Sequence, residues 1–334
     1  MSRLRVIGGS VCALLASTIV ACGDGPTEPE PEYVVNFGVV EAGASSGFDA
    51  STVAALAAGI DGFNARMAAT GSDVRLEYPW MFVVGGGTDP FARLRTGSRW
   101  NIPTPAYILD ESDFTEDLDA GVQDDVLVES FETWDAVRQS FLTTARLPDP
   151  GGNFDVLDGT IVDGECVLTD GAPFDLTSPN LDLDAGEILT VADIVVGGWI
   201  APEYFELCLG SPNILAVTWT FSGPDTDGDQ YADRLYVEQF YNEGFRWVTS
   251  GSIFLDPDPD AAIDLMTVAV HENGHAHGLG HFGGPVRNQP FTLKPNGRVF
   301  NPEAVMNAFY LGGEKRDLRP TDEAALRTMY TAVR

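Results

Sequence analysis

Residues 271–281 read HENGHAHGLGH and hold all four histidines of a chain of 334 residues. His271 and His275 are four positions apart, so on a helix both imidazoles leave the same face and can reach one ion. Glu272, next to the first histidine, can approach a water on that ion without being a ligand. The stretch therefore predicts a metal-binding helix with a carboxylate beside the metal.

The end of the same stretch can supply a third ligand. Gly278 stands where the helix should stop, because glycine readily takes the left-handed conformation that ends a helix. Gly280 adds freedom for the chain to turn back and bring His281 to the ion. Three imidazoles with an open position for water are typical of a catalytic zinc site and not of a closed structural one.

The chemistry that such a site supports is hydrolysis of an amide bond. Zinc lowers the pKa of a bound water towards about 7 and polarises a carbonyl group. Glu272 is then the candidate general base, which takes the proton of the water and returns it to the leaving amine. His277 points away from the face of His271 and His275, and we expect it to be exposed or to lie behind the ligands. The alternative is a surface patch or a metal clip without catalysis.

The elements around this stretch predict an α/β protein. An amphipathic helix over residues 261–277 carries the histidines. Further helices are predicted over residues 49–69, 124–142 and 321–332, the last with Thr321 as its N-cap. Strand-like runs occupy residues 33–40, 74–84, 107–110, 192–197, 214–221 and 235–241. Residues 148–190 are rich in Gly, Asp and Pro and predict long loops.

The N-terminus reads as an export signal. Residues 1–21 begin with two arginines and continue as an apolar run that is too short to span a membrane comfortably. The run ends in IVAC, which resembles the lipobox of bacterial lipoproteins, in which Cys22 would be lipidated. Residues 22–32 are acidic and Pro-rich, as in a tether. We expect an extracytoplasmic lipoprotein at the outer membrane or cell surface, held to the membrane by its lipid alone; an ordinary signal peptide is the alternative.

Composition limits the partners and the redox state. The formal net charge of −31 would repel phosphate, so the sequence argues against nucleic-acid binding. Two cysteines lie beyond the N-terminal region, Cys166 and Cys208. In an oxidising compartment an isolated pair of this kind predicts a disulfide and not a set of metal ligands.

The histidine stretch also carries a resemblance to a known family. HENGHAHGLGH matches the metzincin zinc signature H-E-x-x-H-x-x-G-x-x-H at every fixed position. Metzincins have a Met-turn downstream, in which a methionine lies beneath the zinc, and Met306 in the sequence Ala-Val-Met-Asn is similar. The resemblance implies His271, His275 and His281 as zinc ligands, Glu272 as the base, and an α/β catalytic domain. Its twisted, mixed, mostly parallel sheet would have the long zinc-binding helix behind it.

Within the metzincins, residues 99–334 look most like a matrixin domain. The likeness rests on Arg99-Trp100, the helix with Phe-Glu-Thr-Trp, the strand Ala-Asp-Ile and the segment FYNEGFRW, all in the matrixin order. It implies that the strand over residues 214–220 is the sheet edge that pairs with an extended substrate. Residues 307–311 would then wall the pocket beside the zinc. Residues 33–98 carry no catalytic signature and are either a propeptide or an additional subdomain.

A second ion is predicted in the acidic stretch DTDGDQYAD. Asp225, Asp227, Asp229 and Asp233 alternate in the manner of a calcium loop, which offers hard oxygen ligands on a tight turn. The alternative is a solvated acidic turn between two strands.

The sequence as a whole predicts a monomeric zinc-dependent endopeptidase acting on protein or peptide substrates outside the cytoplasm. Two alternatives stay open. One is a zinc amidase that cleaves cell-wall or other amide bonds, and the other is a metal-binding surface lipoprotein without turnover. Glu272 bears on the second, because a metal-binding scaffold does not need a carboxylate at that position.

Overall fold

The computed structural model describes most of the chain beyond its N-terminal region. The described residues are 47–84, 90–91, 97–151, 155–157, 159–162, 165–168, 181–182, 187–188, 192–250, 262–281, 304–307, 309–310 and 313–330. The predictions for the signal peptide, the tether, Cys22 and the strand at residues 33–40 lie outside these residues. Among the described residues, no helix is both long and apolar enough to span a lipid bilayer.

Five helices and fifteen strands make up the described structure, together with a short 3₁₀ turn at Glu111–Asp113. The helices are α1 (Ala50–Thr70), α2 (Ala120–Asp135), α3 (Pro202–Leu207), α4 (Leu265–Ala276) and α5 (Pro320–Tyr330). The first strands are β1 (Arg75–Leu76), β2 (Trp80–Val84), β3 (Ser98–Arg99), β4 (Ala106–Leu109), β5 (Ala145–Arg146), β6 (Gly159–Val162) and β7 (Glu165–Leu168). The remaining strands are β8 (Leu181–Asp182), β9 (Glu187–Ile188), β10 (Ile194–Ile200), β11 (Ile214–Ser222), β12 (Ala232–Asn242), β13 (Arg246–Val248), β14 (Ala262–Asp264) and β15 (Phe309–Tyr310).

The fold is a mixed α/β architecture around one central sheet, as the sequence predicts. The nine strands of this sheet include the series β15-β2-β11-β12-β10-β4-β5, with β1 added to β11 and β3 to β12. Strands β5, β4, β10 and β12 run parallel to one another. Strand β11 runs antiparallel to β12 on one side and to β2 on the other. The sheet is therefore mixed and mostly parallel.

Helices cover both faces of the sheet. Successive side chains of each inner strand point to opposite faces, so each strand contributes to the core on both sides. On one face, Phe82 and Tyr241 pack in a cluster with helices α2 and α4. On the other face, Met81 and Phe240 pack in a second cluster with α1 and α3. Strands buried on both sides carry mostly apolar residues without strict alternation, and β11, in which all nine residues are buried, is an example.

Part of the N-terminal segment, residues 33–98, packs on this sheet as helix α1 and joins it as strands β1 and β2. The predicted helix over residues 49–69 is confirmed, with Asp49 as its N-cap and Gly71 ending it at φ 86°. Its apolar stripe, which includes Ile60 and Phe63, packs on the second face. The chain then continues into β1 and β2, so residues on both sides of position 98 contribute to one sheet.

Several predicted helix ends shift, for local reasons. Helix α2, Ala120–Asp135, starts earlier than the predicted residue 124, because Asp119 caps it, and ends earlier than the predicted residue 142. After its end, Gln139 takes a positive φ of 71°. Helix α4 begins only after the Asp264 cap. Helix α5 begins at Pro320, whose fixed φ suits a first helical position, so the prediction of Thr321 as the N-cap was wrong.

Candidate metal centre

Three of the four histidines meet at one point behind the sheet. The Nε2 atom of His271 lies 3.1 Å from that of His275 and 3.1 Å from that of His281. The Nε2 atoms of His275 and His281 are 2.9 Å apart. Three nitrogens bound to one tetrahedral zinc ion at the usual bond length lie roughly 3.3 Å apart, so the spacing is close to that of a ligand set.

The orientation of two rings shows what these nitrogens can do. The Nδ1 atom of His271 is 2.8 Å from the carbonyl oxygen of Val305, and that of His275 is 2.8 Å from the carbonyl oxygen of Leu279. Carbonyl oxygens only accept hydrogen bonds, so both Nδ1 atoms carry the proton and both Nε2 atoms present lone pairs. Converging lone pairs repel one another unless a cation lies between them. The histidine group could therefore hold a metal ion.

The end of α4 delivers the third histidine as the sequence predicts. Gly278 takes a φ of 95°, in the left-handed region, and its amide donates to the carbonyl oxygen of His275. The amide of Leu279 then donates to the carbonyl oxygen of Gly274. A Cβ atom on Gly278 would lie 2.7 Å from the carbonyl oxygen of Ser98. Both the backbone conformation and the space therefore require glycine at this turn.

Burial of the site keeps His271 neutral. His271 and His275 are fully buried and His281 is 3 % exposed. Burial lowers the pKa of His271 to about 3, against the opposing effect of its bond to Val305. A neutral imidazole is the form that binds a metal.

Glu272 is buried beside the ligands and is held through one oxygen only. The hydroxyl of Thr218 on β11 donates to its Oε2 atom at 2.5 Å. Its Oε1 atom is buried and has no hydrogen-bond partner among the described residues. Burial raises the pKa of Glu272 to about 8, while the bond from Thr218 opposes the rise. A nearby cation or a water would satisfy the second oxygen and favour the charged form.

Met306 lies directly against helix α4. A Cβ atom on Gly274 would be 2.1 Å from the Sδ atom of Met306, so the methionine packs where α4 has no side chain. The turn that carries Met306 is held by Asp322 of α5, which accepts the amides of Val305 and Met306 at 3.1 and 3.2 Å. No sequence motif pointed to Asp322, although a carboxylate in the first turn of a helix commonly accepts backbone amides.

Two further side chains donate to carbonyl groups of α4 and were also not anticipated. Trp134 of α2 donates through its indole Nε1 atom to the carbonyl oxygen of Val270 at 2.8 Å. Arg234, which is buried, donates to the carbonyl oxygens of His275 and Ala276. The carbonyl groups of His275 and Ala276 lie in the last turn of α4, where carbonyl groups lack helical partners and a positive charge is favourable.

His277 lies outside the ligand group, but it is not exposed. It is 1 % exposed, its Nδ1 atom is 2.5 Å from the carbonyl oxygen of Asn273, and its ring stacks on Trp134. Burial lowers its pKa to about 4. Of the two positions expected for His277, exposed or behind the ligands, exposure is wrong, because α2 covers this side of the helix.

The acidic loop brings together three of its four predicted residues. Asp225, Asp227 and Asp229 have carboxylate oxygens within 4.8 Å of one another. Asp233 is turned away, since its carboxylate accepts from Asn101 at 3.0 Å and from the amide of Thr226 at 3.2 Å. Arg99 forms ion pairs with Asp227 and Asp229, so positive charge is already present beside this group.

The described residues also contain a disulfide and a second group of aspartates. Cys166 and Cys208 form a disulfide that joins β7 to the end of α3.

Asp110, Asp113 and Asp155 bring carboxylate oxygens within 4.8 Å of one another near the carboxyl end of β4. Sequence spacing did not point to these aspartates, because Asp155 follows the other two only after a helix and a strand.

The strand over residues 214–220 is not a free edge. Strand β2 pairs with it in antiparallel register, Trp80 opposite Thr218 and Phe82 opposite Ala216. The outer side of β2 pairs in parallel with β15, which begins at Phe309. The expectation that 214–220 offers an open edge was therefore wrong for this structure, because residues of the N-terminal segment take that position.

Together, the fold and the site define a mixed α/β protein with a buried three-histidine centre that could hold a metal ion. Neither a protein-family model nor a curated protein matches the sequence of this chain.

Proposed function

We propose that the chain is a zinc-dependent endopeptidase of the metzincin type, similar to matrixins over residues 99–334. The observation that carries the proposal is Glu272, a fully buried carboxylate next to the ligand His271, with one oxygen held by Thr218 and the other without a partner. A metal clip needs the histidines alone. A buried carboxylate costs stability, and its presence at this position favours proton transfer as its role.

The donor set fits zinc better than calcium or magnesium. Zinc prefers nitrogen and sulfur ligands in tetrahedral geometry, whereas calcium and magnesium prefer oxygen. A zinc ion held by three histidines would polarise a peptide carbonyl and make a water more acidic. Met306 and the carbonyl oxygens of Val305 and Leu279 would keep the ligands in place, because they fix the helix and the ring orientations.

Glu272 performs the proton transfers in this proposal. Its carboxylate takes a proton from the attacking water while the new C–O bond forms at the peptide carbonyl. The resulting carboxylic acid then gives that proton to the leaving nitrogen as the C–N bond breaks, which regenerates the carboxylate. Thr218 is a positioning residue, since its hydrogen bond holds the Oε2 atom of Glu272 and leaves the Oε1 atom to take the proton.

The remaining expectations are proposals of the same kind. We infer that Cys22 is lipidated, which would place the protein outside the cytoplasm on a membrane surface. We also infer that the protein is a monomer. The mass of the N-terminal peptide of the protein from its native host would test the lipidation.

For calcium, only Asp225, Asp227 and Asp229 remain as candidate ligands, and calorimetry with and without Arg99→Gln would show whether calcium binds there.

The decisive test of the proposed function pairs metal analysis with digestion of casein by the wild type and Glu272→Gln. Because Trp80 and Phe82 lie against the ligands, the digestion is also run on protein with both changed to Ala. We expect equal zinc content and a loss of activity on the order of 10²-fold or more in Glu272→Gln. Glu243→Gln, an exposed residue with the same change, is the matched control.

Unchanged cleavage by Glu272→Gln would refute the role of general base. Cleavage of cell-wall fragments without cleavage of any peptide library would favour the amidase alternative. Zinc binding without hydrolysis of either substrate would favour the metal-binding lipoprotein.

A further inference from the structure

Strand β2 lies between the two segments that would flank a bound peptide. On one side it pairs antiparallel with β11, where Trp80 is opposite Thr218, the residue that holds Glu272. On the other side it pairs parallel with β15, so that Val83 is opposite Phe309. An extended peptide bound across a metal centre in this fold would use the backbone groups that now pair with β2.

The alternating side chains of β2 divide between the metal centre and the opposite core. The indole of Trp80 stacks on the ring of His275, with centroids 4.7 Å apart and an interplanar angle of 12°. The ring of Phe82 stacks on His271, with centroids 3.7 Å apart and an angle of 11°. Met81 points the other way, into the cluster under α1. The two aromatic residues are thus the ones that reach the ligands.

These contacts fill the space that a substrate needs. Trp80 also lies against His281 in an edge-on contact, and Phe82 against Tyr310. All three ligand histidines are at least 97 % buried, and Phe82 itself is only 2 % exposed. A peptide strand could pair with β11 in this register only after β2 had left it.

We propose that β2 occupies the peptide groove, by which we mean the position beside β11 where an extended peptide would pair. In this position β2 keeps the histidine centre closed, and its side chains show which peptides the groove can bind. The class of ligand is an extended peptide that pairs antiparallel with β11 and places bulky aromatic side chains at two alternate positions, as Trp80 and Phe82 do. This inference rests on the proposed endopeptidase function for its consequence, because opening β2 would then admit substrate.

The neighbouring elements allow β2 to move while the rest of the segment stays anchored. The side-chain amide of Asn64 on α1 both donates to the carbonyl of Leu76 at 3.0 Å and accepts its amide at 2.8 Å. The rings of Phe63 and Phe221 also pack edge to face. Helix α1 and strand β1 therefore have contacts of their own with the sheet. Opening exposes Met81 and Val83 to water, which favours the closed state.

The test measures access to the histidines in metal-free protein, so it does not depend on catalysis. Diethyl pyrocarbonate modifies accessible imidazoles, and mass spectrometry locates the product on each histidine. We compare the wild type with Trp80→Ala/Phe82→Ala and with Leu56→Ala, which removes a buried side chain of α1 from the cluster on the other face of the sheet. His277, buried against Trp134, is the internal control for an intact fold.

We expect His271, His275 and His281 to react about tenfold faster in the double variant, which corresponds to about 1.4 kcal/mol less stability of the closed state. His277 should stay unreactive, and Leu56→Ala should change the rates of the other three histidines much less. Equal acceleration in both variants, or acceleration of His277 together with the others, would overturn the proposal.

A peptide with the sequence YPWMFVV, that of residues 78–84, tests the class of ligand. We expect it to protect the three ligand histidines of the double variant again, whereas a peptide with alanine at the Trp and Phe positions should not. Equal protection by both peptides, or by neither, would overturn the proposed preference for aromatic side chains at these two positions. If access opens as expected but the zinc-loaded variant cleaves no peptide, the occupant role stands and the endopeptidase proposal fails.

Discussion

The Nδ1 atom of His271 lies 2.8 Å from the carbonyl oxygen of Val305, whose own amide donates to Asp322. One histidine of the candidate metal centre is thus oriented by a turn that a carboxylate on the last described helix holds in place. Asp322 is fully buried, and burial raises its pKa against the amides that it accepts. The position of the ligand ring therefore depends on a residue far along the chain.

Loss of that carboxylate should weaken metal binding. We expect Asp322→Asn to lower zinc affinity by about 10- to 100-fold, because the amide side chain cannot accept the same bonds through both of its terminal atoms. Competition with a chromophoric chelator measures the affinity. Glu323→Gln, a change at the adjacent exposed acid, should leave it unaltered. Equal affinities for the two variants would show that the turn does not control His271.

Helix α4 should tolerate no side chain at Gly274. A Cβ atom there would lie 2.1 Å from Met306 Sδ and 2.8 Å from a ring carbon of Trp134. We expect Gly274→Ala to destabilise the protein by about 1–3 kcal/mol through overpacking, measured from urea unfolding midpoints. Gly62→Ala is the matched control, since nothing lies within 4 Å of its added methyl group. It should stabilise α1 by about 0.5–1 kcal/mol.

The pH dependence of hydrolysis should change when Thr218 loses its hydroxyl. The Thr218 bond stabilises the carboxylate of Glu272 and so lowers its pKa. Thr218→Val removes that bond, so the pKa should rise and the acid limb of kcat/KM should move to higher pH by about one unit.

The control for this shift is Thr220→Val on the same strand, whose buried hydroxyl has no partner among the described residues. Both variants are measured in the Trp80→Ala/Phe82→Ala background, in which β2 no longer fills the groove. An acid limb at the same pH in both variants would show that Thr218 does not act through Glu272.

The disulfide should contribute strongly to stability. Cys166 and Cys208 are separated by 42 positions, and a loop of that size corresponds to about 4 kcal/mol in the chain-entropy account. We expect Cys208→Ser to lower the free energy of unfolding by an amount of this order in non-reducing urea titrations. Reduction of the wild type should reproduce the effect. A midpoint that neither change moves would place the cross-link in a part of the chain that unfolds independently.

Local chemistry made the ligand group predictable. The four-residue spacing of His271 and His275 and the glycine turn before His281 depend only on helix geometry and on the backbone freedom of Gly278. The same holds for helix α1, whose apolar stripe and capping residues lie within one segment. These features did not require any knowledge of distant contacts.

The positions of Asp322 and β2 could not be derived in this way, because their partners come from remote parts of the chain. A carboxylate shows its backbone partners only once the fold brings them close. For β2, a signal was present: WMFVV is apolar without alternation, which is typical of a strand buried on both faces. The pattern indicates an inner strand but does not name its neighbours.

The place of β2 in the sheet also couples it to the orientation of His271. Its partner β15 follows the turn whose Val305 carbonyl oxygen lies 2.8 Å from the Nδ1 atom of His271. Val305 and Phe309 are only four positions apart, so a movement that separates β2 from β15 should also disturb the carbonyl group that orients this histidine. Opening of the groove and loosening of the histidine group would then occur together.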